Sequence, residues 1–298
     1  MNDWMNELEQ KIAGKIERQQ SAKDWTWINT GGKPICTFLP ANYDDIKIFL
    51  QLCPHPFRTF GAGSNIIIRD QGFNGVFIRL MKSFRNIEFA SNEIIVDAGI
   101  PGNFLVNTLL DNEFGGIAFL ATIPGQIGGF IKMNAGAHGM QTSDIINWVE
   151  FMDESGQIHR LNAQECNFSY RKSRFKHNDI ILKASIKAHK VNQKEEFQII
   201  SKLVEHRKST QPNSGKMAGC FFKNHMQDNT EIKAWQLIRN ANLENFHSVG
   251  VSNLHANFIM NTNNASAFEL EYFMQKLRSN IFFNQGIFLN SEIEIIGH

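Results

Sequence analysis

The sequence predicts a mixed α+β protein of more than one domain, and three observations carry that expectation. Short apolar runs alternate with glycine turns between residues 57 and 96, which is strand patterning, while other stretches repeat their apolar positions every three to four residues, which is helix patterning. The 298 residues are 42% hydrophobic and 20% charged, enough apolar material for a sizeable core and for two domains or three small ones. The character changes after Gln211-Pro212-Asn213-Ser214-Gly215, a turn-rich stretch that marks a boundary near residue 210.

Leu8, Ile12 and Ile16 recur every four residues, so one amphipathic helix is expected over 5–20. Asn29-Thr30-Gly31-Gly32-Lys33-Pro34 reads as a turn. A helix follows over 43–53, with Asp44 and Asp45 in the first turn, where the helix dipole favours acids, and Pro54 and Pro56 end it. Strands are expected at 57–60, 65–68, 76–80, 87–89 and 94–96. Pro101 suits the first position of a helix over 103–114. Residues 115–139 are rich in glycine and weakly periodic. The runs 148–152 and 157–161 flank Asp153-Glu154-Ser155-Gly156, a hairpin signal, and 180–188 is a further strand. Residues 194–208 place Phe197, Ile200, Leu203 and Val204 on one helical face. Two more helices are expected near 231–241 and 264–280. There is no internal repeat. A Rossmann unit is not expected, because Gly61-Ala62-Gly63-Ser64-Asn65-Ile66 lacks the third glycine of its fingerprint.

Composition narrows the function. The net charge of +1 lacks the basic excess of a nucleic-acid coat. No apolar run approaches the roughly 18 residues of a membrane span. Residues 1–20 have no apolar core of a signal peptide. Cys36, Cys53, Cys166 and Cys220 are widely spaced with no C-x-x-C, so reduced thiols are expected rather than a zinc site or a disulfide frame. These features suit a soluble, cytoplasmic protein that acts on a small molecule or a partner, with no nucleic-acid or membrane partner and no metal; a monomer is expected, though no feature of the composition sets the oligomeric state.

Five segments have a composition suited to chemistry, and each also has a plain structural reading. In Phe60-Gly61-Ala62-Gly63-Ser64-Asn65 two glycines allow successive N–H groups to point one way, a nest for anions, or simply a turn between strands. Ala121-Thr122-Ile123-Pro124-Gly125-Gln126-Ile127-Gly128-Gly129, running on to Asn134-Ala135-Gly136-Ala137-His138-Gly139, suggests backbone lying against a ligand, or else a surface loop. Ser169-Tyr170-Arg171-Lys172-Ser173-Arg174-Phe175 offers an arginine fork for a carboxylate, or a solvated basic face. Ala218-Gly219-Cys220-Phe221-Phe222-Lys223-Asn224 holds either a tuned thiol or a buried inert one. Leu289-Asn290-Ser291-Glu292-Ile293-Glu294-Ile295-Ile296-Gly297 sets Glu292 and Glu294 on one face, as an amphipathic edge strand also would.

In this order and with these gaps, the five segments resemble the UDP-N-acetylenolpyruvoylglucosamine reductase (MurB) family of peptidoglycan synthesis, over residues 28–297. Phe60–Asn65 is similar to the family's G-x-G-S-N turn around the flavin pyrophosphate. The second segment resembles its G-I-P-G-x-x-G-G and N-A-G-A-Y-G runs along the flavin, with His138 in place of the aromatic. Tyr170, Arg171, Ser173 and Phe175 match Y-R-x-S-x-F, and Val249-Gly250-Val251-Ser252 with His255-Ala256-Asn257-Phe258-Ile259 resembles V-S-x-x-H-A-N-F-I. The inserted tyrosine loop of one subtype is absent, as in the shorter subtype.

The resemblance implies an FAD-binding region of two subdomains of the vanillyl-alcohol-oxidase/PCMH type, residues 1–80 and 81–210, and a C-terminal α+β substrate-binding domain, 211–298. It implies bound FAD and NADPH as co-substrate, with a sugar nucleotide as substrate, in a cell-wall enzyme tied to cell shape and division. Gly61, Ala62, Gly63, Ser64, Asn65, Thr122, Pro124, Gly125, Gly128, Gly129, Asn134, Gly136, Gly139 and Arg207 are the implied cofactor contacts. Tyr170, Lys223, Asn224 and His255 are the implied substrate contacts, and Arg171, Cys220 and Glu292 the catalytic groups. Hydride passes from flavin N5 to C3 of the enolpyruvyl group and a proton to C2. Two departures stand out: Cys220 replaces the serine that usually gives that proton, and His225 replaces the proline of G-S-x-F-K-N-P. A thiol of ordinary pKa ~8.5 is mostly protonated near pH 7 and is a competent acid. A flavoprotein of the same scaffold with another substrate, or without catalysis, is the alternative.

Overall fold

A computed structural model describes residues 3–80, 83–90, 93–228, 230–241, 243–244 and 246–298. The expected subdomain boundary at 80/81 falls against residues 81–82, outside the described residues, and so do residues 1–2 of the segment read for a signal peptide. The chain forms two compact units, each discontinuous in sequence. One holds the N-terminal segment to Arg18, Ile35–Ala62 and Gly75–His206; the other holds Gln19–Pro34, Gly63–Asn74 and Arg207–His298.

The first unit contains two sheets. One has the order Lys15–Arg18, Pro34–Leu39, Phe73–Ile78, Phe57–Thr59, with Phe57–Thr59 parallel to its neighbour. The other is antiparallel, in the order Ile158–Asn162, Ile146–Met152, Ile180–Ile186, Ile94–Asp97, Ile87–Phe89. Their inward residues share one core, which includes Phe38, Phe49, Val76, Leu105, Val149 and Leu182. The helix Tyr43–Leu52 starts where Asn42 accepts a hydrogen bond from the Asp45 N–H, a side-chain N-cap.

The second unit packs the three-stranded antiparallel sheet Lys216–Met217, Ile259–Asn261, Val249–Val251 against the helices Ala234–Asn240 and Ala267–Gln285. The second helix opens on a capping box of Ser266 and Glu269 and stops at Gly286, whose φ of 68° few other residues adopt. A parallel pair, Ile66–Ile68 with Glu294–Ile296, joins this unit's middle segment to its C-terminal end.

Two expectations are corrected, and the stretch left without an assigned element is resolved. The helix expected over 5–20 ends at Lys11, and Lys15–Arg18 is a strand that sets Ile16 opposite Phe38. The Asp45 carboxylate takes the N–H groups of Ala13, Gly14 and Ala41 at 3.0, 2.8 and 2.8 Å, which turns the chain. A Cβ on Gly14 would lie 2.3 Å from the Leu39 carbonyl oxygen, so only glycine passes there. The helix expected over 103–114 runs Gly102–Asp111, with Pro101 as its N-cap rather than its first residue, and Phe114–Gly115 pairs with His189–Lys190. The glycine-rich stretch 115–139 is ordered: a 3-10 helix at Ala118–Thr122 and an α-helix at Ile127–Met133. The carbonyls of Ile100 and Ala98 accept the first N–H groups of that second helix, which offsets its two internal glycines.

No disulfide forms. Burial pushes the Cys36 thiol up to about 12 and those of Cys53 and Cys166 to about 11, so these three are inert near neutral pH. Among the described residues no helix is long and apolar enough to cross a membrane, and no group of three metal-ligating side chains converges.

Candidate active site

In the first unit, two of the segments singled out above are tied to each other. Asn134 ends the helix Ile127–Met133 in the left-handed region, φ 42°, with its side chain fully buried. Its amide donates to Gln141 Oε1 at 3.1 Å and to the Ser169 carbonyl at 3.0 Å, and its Oδ1 accepts from the Ser143 N–H at 2.9 Å. Next, Gly136–Ala137 pairs with Met140–Gln141, and His138 and Gly139 between them have φ of 54° and 80°. Two successive positive φ values make the tight hairpin turn that follows the right-handed twist.

Tyr170 and Arg171 form a second tight turn between Ser169 and Lys172, whose backbones exchange hydrogen bonds at 2.9 and 3.1 Å. Arg171 sits at φ 53°, a conformation that carries a cost of about 1 kcal/mol for a side chain with a Cβ. Arg171 Nη2 donates to the Gly136 carbonyl at 2.8 Å, and the buried Ser173 hydroxyl to the Lys132 carbonyl at 2.7 Å. Three bonds thus fasten 169–173 to 132–136, and Asn134, His138 and Arg171 here are among the chain's non-glycine residues of positive φ, a strain that occurs at many ligand sites. Removing the Asn134 amide orphans several buried groups at once, so Asn134→Ala is expected to lower stability by about 2–4 kcal/mol, as measured by urea unfolding.

Gln126 carries no signal of its role in the sequence motifs above. It is buried, donates to the Gly99 carbonyl at 3.1 Å, and its Oε1 would lie 3.2 Å from a Cβ on Gly61. It brings the Gly61-Ala62 end of the nest beside the Pro124–Gly129 run. A polar residue inside the apolar run 123–131 was the available clue. Thr122 is buried, with its hydroxyl on the Phe119 carbonyl at 2.7 Å. The glycines differ in role. Gly125, at φ 154°, is crowded by the Phe130 ring, and a Cβ on Gly128 would meet Ala98 at 3.2 Å. Gly129 and Gly139 face open space, where an added Cβ would meet nothing within 4 Å. Bare backbone facing open space suits a flat ligand laid along it, and these residues fit a flavin.

The second unit braids three more segments. At Gly63 φ is 69°, and a Cβ would come within 2.0 Å of the Trp25 carbonyl oxygen. The Gly219 N–H donates to the Ser64 carbonyl at 2.9 Å, the Asn65 amide to the Glu292 carbonyl at 3.1 Å, and the Glu294 N–H to the Asn65 carbonyl at 3.1 Å. Glu292 N–H donates to the Phe221 carbonyl and Lys223 N–H to the Asn290 carbonyl, both at 2.8 Å. Buried Asn257 completes the frame. Its backbone carbonyl accepts from Phe221 N–H, its Oδ1 from Phe222 N–H, and its amide donates to the Phe222 carbonyl at 2.7 Å.

Cys220 is half-buried between Gly219, fixed to Ser64, and Phe221, fixed to Asn257 and Glu292. Its sulfur is placed by backbone bonds on both sides. Arg207 lies beside it: burial lowers the guanidinium from its usual value, and an ionised Cys220 opposes that shift. Glu292 is half-buried just before the strand Glu294–Ile296. Asn224 makes structural bonds, its Oδ1 accepting from Ala234 N–H at 3.0 Å and its amide donating to Glu231 at 2.6 Å. His225 opens the hairpin strand His225–Gln227, paired with Thr230–Ile232. His255 lies between the Trp235 and Phe258 rings, and burial pulls its pKa below the usual histidine value. So Gly63, Ser64, Asn65, Arg207, Cys220, Lys223, Asn224, His255 and Glu292 belong to the second unit, and the remaining candidates, Arg171 and Tyr170 included, to the first.

Comparison with known proteins bears on both units. Residues 34–162 match the FAD binding domain family, and residues 211–296 match the family described as the C-terminal domain of UDP-N-acetylenolpyruvoylglucosamine reductase. The UDP-N-acetylenolpyruvoylglucosamine reductase of Rickettsia typhi is 38% identical over 290 residues, covering 96% of this chain and 97% of that protein. The one from Orientia tsutsugamushi is 36% identical over 296 residues, 96% of each chain. The crystal structure of the Thermus caldophilus reductase superposes with a TM-score of 0.81 at 27% identity, over 95% of this chain and 100% of that one.

Proposed function

The chain belongs to the UDP-N-acetylenolpyruvoylglucosamine reductase family, and from that membership we propose that it reduces UDP-N-acetylglucosamine enolpyruvate to UDP-N-acetylmuramate with electrons from NADPH. In this reading residues 1–80 and 81–210 serve the cofactor and 211–298 the sugar nucleotide. Bound FAD supplies the hydride carrier between the two substrates.

The chain's own residues do the rest. The N–H groups of Gly61–Asn65 cradle the cofactor's phosphates, and the Thr122–Gly129 and Asn134–Gly139 backbones lie along its ring system. Arg207 joins them as a cation beside the cofactor, and Tyr170, Lys223, Asn224 and His255 contact the sugar nucleotide. Hydride addition at C3 pushes charge toward the substrate carboxylate. Arg171 holds that carboxylate, its position set by the Gly136 bond and the turn at Tyr170. Glu292 bonds the enolic oxygen. Cys220 gives its proton to C2, and the thiolate left behind is favoured by the Arg207 guanidinium.

The observation that carries this reading is the placement of Cys220. A half-buried thiol in a segment bonded to both the glycine nest and the Glu292 run suits proton donation better than packing. The direct experiment is steady-state NADPH oxidation by purified protein. Oxidation that depends on the enolpyruvyl sugar nucleotide and yields the muramate is expected; oxidation indifferent to that compound rejects the reading. Gly129 offers a test of the cofactor seat alone. Since a side chain there meets no protein atom, Gly129→Leu is expected to keep the apoprotein's melting temperature within about 4 °C while the purified protein carries little flavin.

A further inference from the structure

Asn257 occupies the place of a missing strand. The strands Val249–Val251 and Ile259–Asn261 pair with each other, and residues 252–258 connect them. That loop is closed by bonds from Ser252 N–H to the Phe258 carbonyl and from Phe258 N–H to the His255 carbonyl, both 2.9 Å, so buried Asn257 stands on a fixed base. The run it meets is a short strand with a backbone partner on one edge. Phe222 and Ser291 form an antiparallel bridge there, with Lys223 N–H on the Asn290 carbonyl and Glu292 N–H on the Phe221 carbonyl. On the other edge Phe222 presents its own N–H and carbonyl, which a neighbouring strand would take. The Asn257 side chain takes both: Oδ1 accepts from the N–H at 3.0 Å, and the amide donates to the carbonyl at 2.7 Å. One side-chain amide, with its donor and its acceptor, stands in for a peptide group.

The consequence reaches Cys220 through the backbone. Phe221 N–H donates to the Asn257 backbone carbonyl at 3.0 Å. A trans peptide is planar, so the direction of that N–H also sets the plane of the Cys220 carbonyl, and with it the way the Cys220 Cα–Cβ bond leaves the chain. The Gly219 N–H on the Ser64 carbonyl fixes the run just before Cys220. The Phe221 and Phe222 rings are fully buried and anchor where the run lies, but a buried ring leaves the neighbouring peptide plane free to rotate. An apolar residue at 257 would orphan the Phe222 N–H and carbonyl and loosen the carbonyl that receives Phe221.

We propose that Asn257 is a positioning residue for the proton step, its side-chain amide holding the Phe221–Phe222 backbone so that the Cys220 thiol meets substrate C2. This rests on the reaction proposed above. Asn257→Asp separates positioning from packing. A protonated carboxyl donates to the Phe222 carbonyl and accepts from the Phe222 N–H as the amide does, whereas a carboxylate only accepts and repels that carbonyl. The titratable and charged groups around it are Cys220 and Lys223 on the held run, Glu292 on the opposite run, His255 on the loop, and Arg278, whose guanidinium carbon lies 5.8 Å from the centre of the Phe222 ring. All are present in the wild type too, so the ratio of variant to wild type isolates the new carboxyl. The test is rapid-mixing absorbance of both half-reactions of the flavin-loaded protein. At about pH 8 Asn257→Asp is expected to slow flavin reoxidation by the enolpyruvyl substrate about 10²-fold, as a small misplacement of a reacting group does, and to leave NADPH-driven reduction and flavin content near wild type. Towards about pH 5.5 the carboxyl protonates, since burial raises its pKa, and most of that deficit disappears. Asn257→Leu, which cannot regain the two bonds, keeps its deficit at both pH values. Reoxidation within about twofold of wild type at about pH 8, or an Asn257→Asp deficit that does not change with pH, would overturn the proposal. So would equal losses in both half-reactions with a lowered melting temperature, which mark a packing role. Alkylation of the same proteins by iodoacetamide, corrected with Cys220→Ser, reads the thiol without substrate, and a several-fold change of rate in Asn257→Leu is expected. An unchanged rate counts against positioning. A changed rate in a protein whose wild type turns over no enolpyruvyl sugar nucleotide upholds the positioning and sinks the reaction instead.

Discussion

Replacing Cys220 by alanine is expected to slow flavin reoxidation by the enolpyruvyl substrate about 10²–10⁴-fold, the usual worth of a positioned general acid, while NADPH-driven flavin reduction stays nearly intact. The two half-reactions differ in what they ask of the chain. Reduction by NADPH needs no proton at substrate C2, whereas the second half needs one, and in the proposed reaction Cys220, whose neighbours are bonded to the Ser64 and Glu292 segments, gives it. Rapid-mixing absorbance of each half-reaction separates the cases. Equal losses in both halves assign Cys220 a structural role. Cys220→Ser is expected to retain substantial activity, since a hydroxyl is the group usually found at this position in the family. The thiol also brings sensitivity to oxidation, because sulfenic acid formation removes the proton donor. Peroxide is expected to inactivate the wild type and spare Cys220→Ser; equal resistance of both proteins counts against the thiol's role.

Arg171→Met is expected to lower kcat roughly 10²–10³-fold, as loss of one electrostatic partner of a developing anion commonly does. The side chain has two duties here. One Nη donates to the Gly136 carbonyl at 2.8 Å, which fixes the fork beside the Asn134–Gly139 hairpin, and in the proposed reaction the guanidinium also holds the substrate carboxylate. Arg171→Lys is expected to recover only part of the rate, since an ammonium cannot hold the Gly136 carbonyl and a carboxylate with one planar group. Flavin content decides between chemistry and scaffolding. A full complement of flavin with a slow second half-reaction supports the catalytic role. Loss of flavin in step with loss of rate assigns Arg171 to the cofactor hairpin instead.

Elements with a local cause were legible in the sequence. The run 87–89 is the strand Ile87–Phe89 as expected, and the helix of Tyr43–Leu52 has its acids and its Asn42 cap in sequence reach. Elements set by distant partners were not. The period of Leu8, Ile12 and Ile16 suits a helix, but the Asp45 carboxylate and the Leu39 carbonyl, both more than 20 residues on, turn the chain at Gly14. Two glycines hid the helix Ile127–Met133, whose first N–H groups are met by the carbonyls of Ile100 and Ala98. The chemistry-bearing segments were readable because glycines, an arginine fork and a thiol are unusual in company. The residues that aim them were not. Gln126, Ser173 and Asn257 bond segments far off in the chain, and although each stands in a marked run of sequence, nothing there names the distant partner.

The central claim is that this chain holds FAD with the Cys220 thiol supplying the proton for enolpyruvyl reduction. The most direct measurement reduces the purified yellow protein anaerobically with one equivalent of NADPH and then adds UDP-N-acetylglucosamine enolpyruvate. The account predicts that the oxidised-flavin absorbance bleaches and then returns in the wild type, and that the return is lost or greatly slowed in Cys220→Ala. A colourless protein that takes up no added FAD, or an absorbance that returns equally fast in both proteins, would contradict it.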